Sequence, residues 1–301
     1  MGKLGGLELN YHSDLDIIFI YDTEGQTRPC AGTDPDRFRQ ISNHEDFAKL
    51  AQRIITALTF VIHEGTVYEI DTRLRPSGNQ GPLVTSLSAF KRYHQESAQP
   101  WERQAMTKAR VVCAPEELSG RLQQLISELA FARPVPDDLQ SEIYRLRSRM
   151  EKEIAKESDA HFNIKTGRGG MVDVEFIAQY LQLRYAHQIK DLWIQNTLEI
   201  LRVLAKNDIL HITESQQLIN GYKFLRRLEN KLRLLHDQSI NELSVEPRNL
   251  RKVALGLGYG KKGLVPEKEF LEEYHAITEG IRTLFENYLN PHPDLEAGEN
   301  A

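Results

Sequence analysis

Cysteine is nearly absent. The 301 residues hold two, Cys30 and Cys113, too few and too far apart for a disulfide framework or a cysteine-based metal centre. Long apolar runs are lacking as well. No stretch approaches the length that spans a bilayer, and no charged, then apolar, then small-residue segment precedes the first motif, so a soluble cytoplasmic protein with no membrane partner is expected. Nor is positive charge in excess: 38 Lys and Arg stand against 43 Asp and Glu, a net charge of −5. Residues 1–115 carry 13 against 14 and the rest 25 against 29, so neither part is a basic module. A protein that tracks a phosphate backbone needs a cationic face. Small-nucleotide chemistry therefore fits better than polymerase activity, and no nucleic acid partner is expected. No internal repeat is visible.

What the chain does have is concentrated at its start, in Gly2-Lys3-Leu4-Gly5-Gly6-Leu7-Glu8-Leu9-Asn10-Tyr11-His12-Ser13-Asp14-Leu15-Asp16. Glycines let backbone amides approach a phosphate. Two carboxylates one residue apart then head an apolar β-branched run that reads as a strand, which sends Asp14 and Asp16 to one face and Leu15 and Ile17 to the other. Hard oxygen ligands on a rigid element suit magnesium, which binds through one or two carboxylates and the phosphates of its substrate. An Asp-Leu-Asp at a strand start is also common as a plain polar edge.

Residues 23–43 read as a surface loop, and 44–62 as an amphipathic helix whose Phe47, Leu50, Ala51, Ile54, Ile55, Leu58 and Ile62 pack on a sheet. Residues 66–75 read as the next strand, with Glu69, Asp71, Arg73 and Arg75 on one face. An acid flanked by arginines suits a charged ligand, and the alternative is a surface ion-pair ladder. From residue 86 the pattern is helix after helix, at 86–94, 100–110, 116–131, 136–157, 171–187, 192–206, 213–243, 246–255 and 266–289. On them Arg103, Lys108 and Arg110 read as solvated charge, Trp101 as a core anchor, and Leu225, Leu228, Leu232 and Leu235 as a core stripe. Arg226, Arg227, Lys231 and Arg233 read as a mixed solvated face. Residues 163–170 form a second glycine-rich stretch, Asn-Ile-Lys-Thr-Gly-Arg-Gly-Gly, that either meets an anion at a helix N-terminus or is an inter-helix turn. The tail from 294 to 301 is expected to fray.

The motif at 2–16 resembles the signature of glutamine synthetase adenylyltransferase, a bifunctional enzyme family with two nucleotidyltransferase halves of the DNA polymerase beta superfamily. The resemblance recurs at Tyr68-Glu69-Ile70-Asp71-Thr72-Arg73-Leu74-Arg75-Pro76-Ser77-Gly78, at Trp101-Glu102-Arg103-Gln104-Ala105 and from Asn163 through Phe176. It implies an α+β fold: a polymerase beta-like core at 1–115 and an all-α helical bundle at 116–301. It implies a carboxylate triad of Asp14, Asp16 and Asp71 holding two Mg2+ ions, with ATP as substrate and Gly5, Gly6, Ser13, Arg73, Arg75 and Lys165 at the nucleotide. The implied reaction is AMP transfer to a tyrosine of glutamine synthetase. The alternatives are phosphorolytic removal of that AMP, or a non-catalytic fragment binding glutamine synthetase or a PII signalling protein. Ser77, Gln104 and the run after Asp173 resemble the adenylylating half. In the family an apolar strand leads into the first glycines, so this chain is expected to be a fragment, a misplaced start or half of a split gene.

Overall fold

The structure is a computed structural model that describes residues 1–30, 32, 34, 38–60, 68–260 and 264–291. The expected helix end at Ile62, the strand start at 66–67 and the tail at 294–301 lie outside the described residues. Helix dominates, as short strands pair two by two. The chain parts into two compact units, Met1–Leu9 with Ser13–Arg133, and Asn10–His12 with Pro134–Ala301.

The first unit opens on a single helical turn, α1 (Gly2–Gly5). Strand β1 (Leu15–Asp16) pairs in parallel with β3 (Ile70–Asp71), and β2 (Phe19–Tyr21) in parallel with β4 (Val84–Ser86). Parallel partners need a crossover, which α2 (Asn43–Leu58) supplies. It starts where Ser42 accepts the Glu45 N–H at 3.1 Å, with Glu45 and Asp46 in its first turn. Ala51 packs with Tyr21 and Val84, and Phe19, Ala48 and Leu83 join them. The expected apolar face is only partly covered, because Phe47, Leu50, Ile54 and Leu58 remain exposed. Helices α3 (Leu87–Glu96), α4 (Pro100–Met106) and α5 (Glu116–Phe131) complete this unit. Trp101, expected as a core anchor, is 45% exposed: α4 buries Glu102, Gln104 and Met106 instead.

In the second unit, α6 (Leu139–Met150) runs on into a wide turn, Glu151–Ala155. Strand β5 (His161–Asn163) pairs antiparallel with β6 (Glu242–Ser244), neither of which the helical periodicity announced. Helix α7 (Met171–Tyr185) is buried almost all round, which removes any polar stripe. Against it pack α8 (Thr197–Lys206), α9 (Ile212–His236) and α11 (Pro266–Leu289), while α10 (Pro247–Leu257) packs on α9 and α11. Leu225, Leu228 and Leu232 of α9 are core, whereas Leu235 is exposed. Gly221 lets α11 come close: a Cβ there would lie 2.8 Å from Ile281 Cδ1.

Arg226 and Arg233, expected on a solvated face, join a buried ionic cluster, whereas Arg227 is exposed as expected. Glu229, fully buried, accepts from Asn10 Nδ2 at 2.6 Å and Arg226 Nη1 at 3.0 Å, and pairs with Arg233, whose Nη1 also donates to Tyr11 O at 2.6 Å. Arg147 and Asp173, also fully buried, pair through Arg147 Nε. Among the described residues no helix is long and apolar enough to cross a membrane.

Candidate nucleotide and metal site

In the first unit the register pairs Leu15 with Ile70 and Asp16 with Asp71. Leu15 donates its N–H to Glu69 O, and Ile17 donates to Asp71 O, each at 2.8 Å. Register partners on parallel strands leave the sheet on the same face, so the Asp16 and Asp71 carboxylates are neighbours. Asp16 also rests against the glycine turn. Gly2 has φ +48°, and a Cβ there would lie 2.0 Å from Asp16 Oδ2, so only glycine lets the backbone come this near. Asp14, just before β1, is exposed.

The strand expected through Arg75 ends at Asp71. Its carboxylate accepts the Arg73 backbone N–H at 2.8 Å, an Asx-type turn that carries the chain out of the sheet. Arg73 then folds back so that Nε donates to both Asp71 oxygens, at 3.0 and 2.8 Å, and Nη2 donates to Oδ2. That guanidinium holds the Asp71 carboxyl below the usual carboxylate range, with a weaker pull from Arg75. Asp71 in turn raises the Arg73 pKa, and Asp14 and Asp16 add to the effect. Arg75 is not on the acidic face: it donates to Thr72 O at 2.9 Å, Thr72 Oγ1 at 3.0 Å and Gly81 O at 3.2 Å, bracing the loop.

Gly5 and Gly6 spend their amides on the α1 turn, donating to Met1 O at 2.8 Å and Gly2 O at 3.0 Å. The visible use of Gly5 is close packing, because a Cβ there would lie 1.7 Å from the Lys108 carbonyl oxygen. Ser13 is buried next to the acids. Helix α4 and the segment after it carry residues misread as solvated charge. Lys108 Nζ donates to Glu8 Oε2 at 2.8 Å with both side chains buried, and Arg110 donates to Leu4 O at 3.0 Å and Gly5 O at 3.4 Å. Arg103 donates to the Ala130 carbonyl at 3.1 Å and to that of Arg133. No sequence signal marked them, because the acceptors that take their donors are distant in the chain.

Lys165 lies in the second unit, half-buried. The glycine-rich stretch around it is a turn with no amide to spare. Every backbone N–H from Asn163 to Asp173 has an internal acceptor: Glu157 takes Asn163 and Arg168, the Asn163 side chain takes Lys165 and Thr166, Asp173 takes Gly169, and carbonyls take the rest. The anion-binding alternative loses its donors, and Lys165 keeps only its charge.

Among the described residues no three or more His, Cys, Asp or Glu side chains form a ready metal shell. The donor chemistry nevertheless fits a hard divalent cation: Asp16 and Asp71 are register neighbours, Asp14 is two residues away, and a cationic guanidinium already sits on Asp71.

Comparison with known proteins places both units. The glutamate-ammonia ligase adenylyltransferase family model matches residues 1–125, and the GlnD PII-uridylyltransferase model matches residues 137–289. The chain is similar to bifunctional glutamine synthetase adenylyltransferase/adenylyl-removing enzymes. It is 36% identical over 279 residues to that of Ralstonia nicotianae, covering 86% of this chain and 28% of the relative. For Nitrosococcus oceani the figures are 35% over 296 residues, 98% and 29%. For Pasteurella multocida they are 36% over 249 residues, 82% and 24%. The chain therefore spans less than a third of each of these relatives.

Proposed function

The chain belongs to the family of the bifunctional glutamine synthetase adenylyltransferases, and on that premise we propose that it transfers AMP from ATP to a tyrosine of glutamine synthetase. The tyrosine oxygen bonds to the α-phosphorus, the bond from that phosphorus to the bridging oxygen breaks, pyrophosphate leaves, and the phenolic proton is released. The observation that carries the reading is the pairing of Asp16 with Asp71 two residues after Asp14. Adenylylation is preferred to phosphorolytic removal because Ser77, Gln104 and the run after Asp173 resemble the adenylylating half.

Asp14, Asp16 and Asp71 would hold Mg2+, two ions in this reading, whose chemistry is to neutralise the triphosphate and stabilise the departing pyrophosphate. Asp71 is a poor proton acceptor while Arg73 depresses its pKa, so accepting the phenolic proton requires that fork to open. Arg73 presents a guanidinium that matches phosphate as well as carboxylate. Arg75 braces the loop beside it. Gly5, Gly6 and Ser13 shape the turn against which the nucleotide lies. The first unit is read as a polymerase beta-like core and the second as a helical bundle. A cytoplasmic setting, glutamine synthetase as target and a PII signalling protein as regulator complete the proposal.

Substituting Asp14→Asn or Asp16→Asn tests it. AMP transfer to glutamine synthetase, followed with labelled ATP, should be lost while the thermal melt is unchanged or rises, since one of three mutually repelling charges is gone. Transfer at near the parent rate by Asp14→Asn rejects the assignment.

A further inference from the structure

The Asp71 carboxylate is already occupied. Both of its oxygens accept from Arg73, whose backbone N–H adds a third anchor on the same side chain. A planar fork on a carboxylate is among the stronger surface pairings because two parallel N–H···O bonds share one geometry. The two partners are unequal in freedom: the Asp71 side chain is 17% exposed and the Arg73 side chain 70%. Asp71 is fixed by β3, next to Asp16, while the guanidinium sits at the end of a long stem in a turn. The mobile member is therefore the cation. Without a positive charge the neighbouring carboxylates would repel one another at close range.

We propose, resting on the reading of these carboxylates as a metal site, that Arg73 is the built-in counter-cation of the site. It holds Asp71 in the metal-free protein, and a divalent cation and the Arg73 guanidinium exclude each other at that carboxylate. Arrival of metal and nucleotide then exchanges one fork for another, as Arg73 leaves the carboxylate and takes a phosphate oxygen pair. The geometry of the loop favours this, because Arg75 ties Thr72 to Gly81 independently of Arg73, so the turn keeps its shape when the fork opens.

The exchange predicts opposite effects of one substitution on two ligands. In the whole chain, Mn2+ alone is titrated by electron paramagnetic resonance without nucleotide, comparing the parent with Arg73→Gln, Arg73→Lys and Lys49→Gln. The last removes the same charge from the exposed Glu45–Lys49 pair on α2. Arg73→Gln should bind Mn2+ roughly three- to tenfold tighter, an exposed competing charge having been removed. Arg73→Lys should gain less, and Lys49→Gln should stay within about twofold. ATP binding at saturating Mn2+ should weaken in Arg73→Gln. Unchanged or weaker Mn2+ binding by Arg73→Gln overturns the exchange and leaves the metal-site reading standing, whereas no Mn2+ binding by any of the four proteins overturns both. If Arg73→Gln does not fold, the parent decides: the Arg73 Nε nitrogen signal should move to the free-guanidinium position on adding Mg2+, and a signal that does not move overturns the proposal.

Discussion

Lys108→Met should destabilise the first unit far more than an ordinary lysine substitution. Lys108 Nζ and Glu8 Oε2 lie 2.8 Å apart, with side chains only 6% and 5% exposed. At that separation the attraction is about 6 kcal/mol for an effective dielectric constant of about 20. Removing two ions from water costs several kcal/mol each, roughly. The intact pair therefore contributes little net stability, whereas removing one member of a buried pair is costly. Either Lys108→Met or Glu8→Met alone should lose about 3–5 kcal/mol, and the double variant should return to within about 1–2 kcal/mol of the parent. The assay is urea denaturation of the four proteins of the cycle, following the transition of the first unit separately because two units need not unfold together. Single losses under about 1 kcal/mol, or losses that simply add, would refute a buried, mutually compensating pair.

Gly5→Ala should cost about 1–3 kcal/mol or more, since its Cβ would meet a backbone oxygen 1.7 Å away that cannot rotate aside; an unchanged melt would place the Lys108 carbonyl elsewhere. His94 packs edge-on to Phe90 with ring centroids 4.5 Å apart, and burial depresses its pKa from 6.5 to about 4. The stability of its neutral form is thus whole above pH 6.5 and is lost as pH falls toward 4. Discounted for partial exposure the loss is about 1–2 kcal/mol, and His94→Phe should flatten that part of a pH–stability curve. Arg147→Met leaves the fully buried Asp173 carboxylate and the Gly167 carbonyl, which it contacts at 2.7 Å, without this donor. It should lower the stability of the second unit by about 3–5 kcal/mol, read by calorimetry, and an unaltered transition would disprove the network.

Local information carried a good share of the structure. Helix positions from residue 86 onward were legible because three- and four-residue apolar spacing is a property of the segment itself: α5, α7 and α11 lie where the periodicity puts them. Asp14-x-Asp16 was singled out from its motif and Asp71 from the family resemblance; the structure adds that Asp16 and Asp71 are register partners.

Tertiary structure decided what those groups touch. Alternation along a strand cannot announce that Asp71 caps a turn with its own carboxylate, so Arg73 and Arg75 were placed on one face when the chain in fact bends, sending one to the acid and the other to the loop. Charge on a helix reads as solvated unless a partner is known, and the partners here are distant in sequence: Glu8 for Lys108, Asp173 for Arg147, Asn10 for Glu229. The second glycine-rich stretch is the clearest case. Glycine content states that a backbone can turn tightly, but whether its amides face a phosphate or the protein depends on acceptors from Glu157, Asn241 and Asp173. A sequence encodes which hydrogen bonds can form, while the fold determines which are already made.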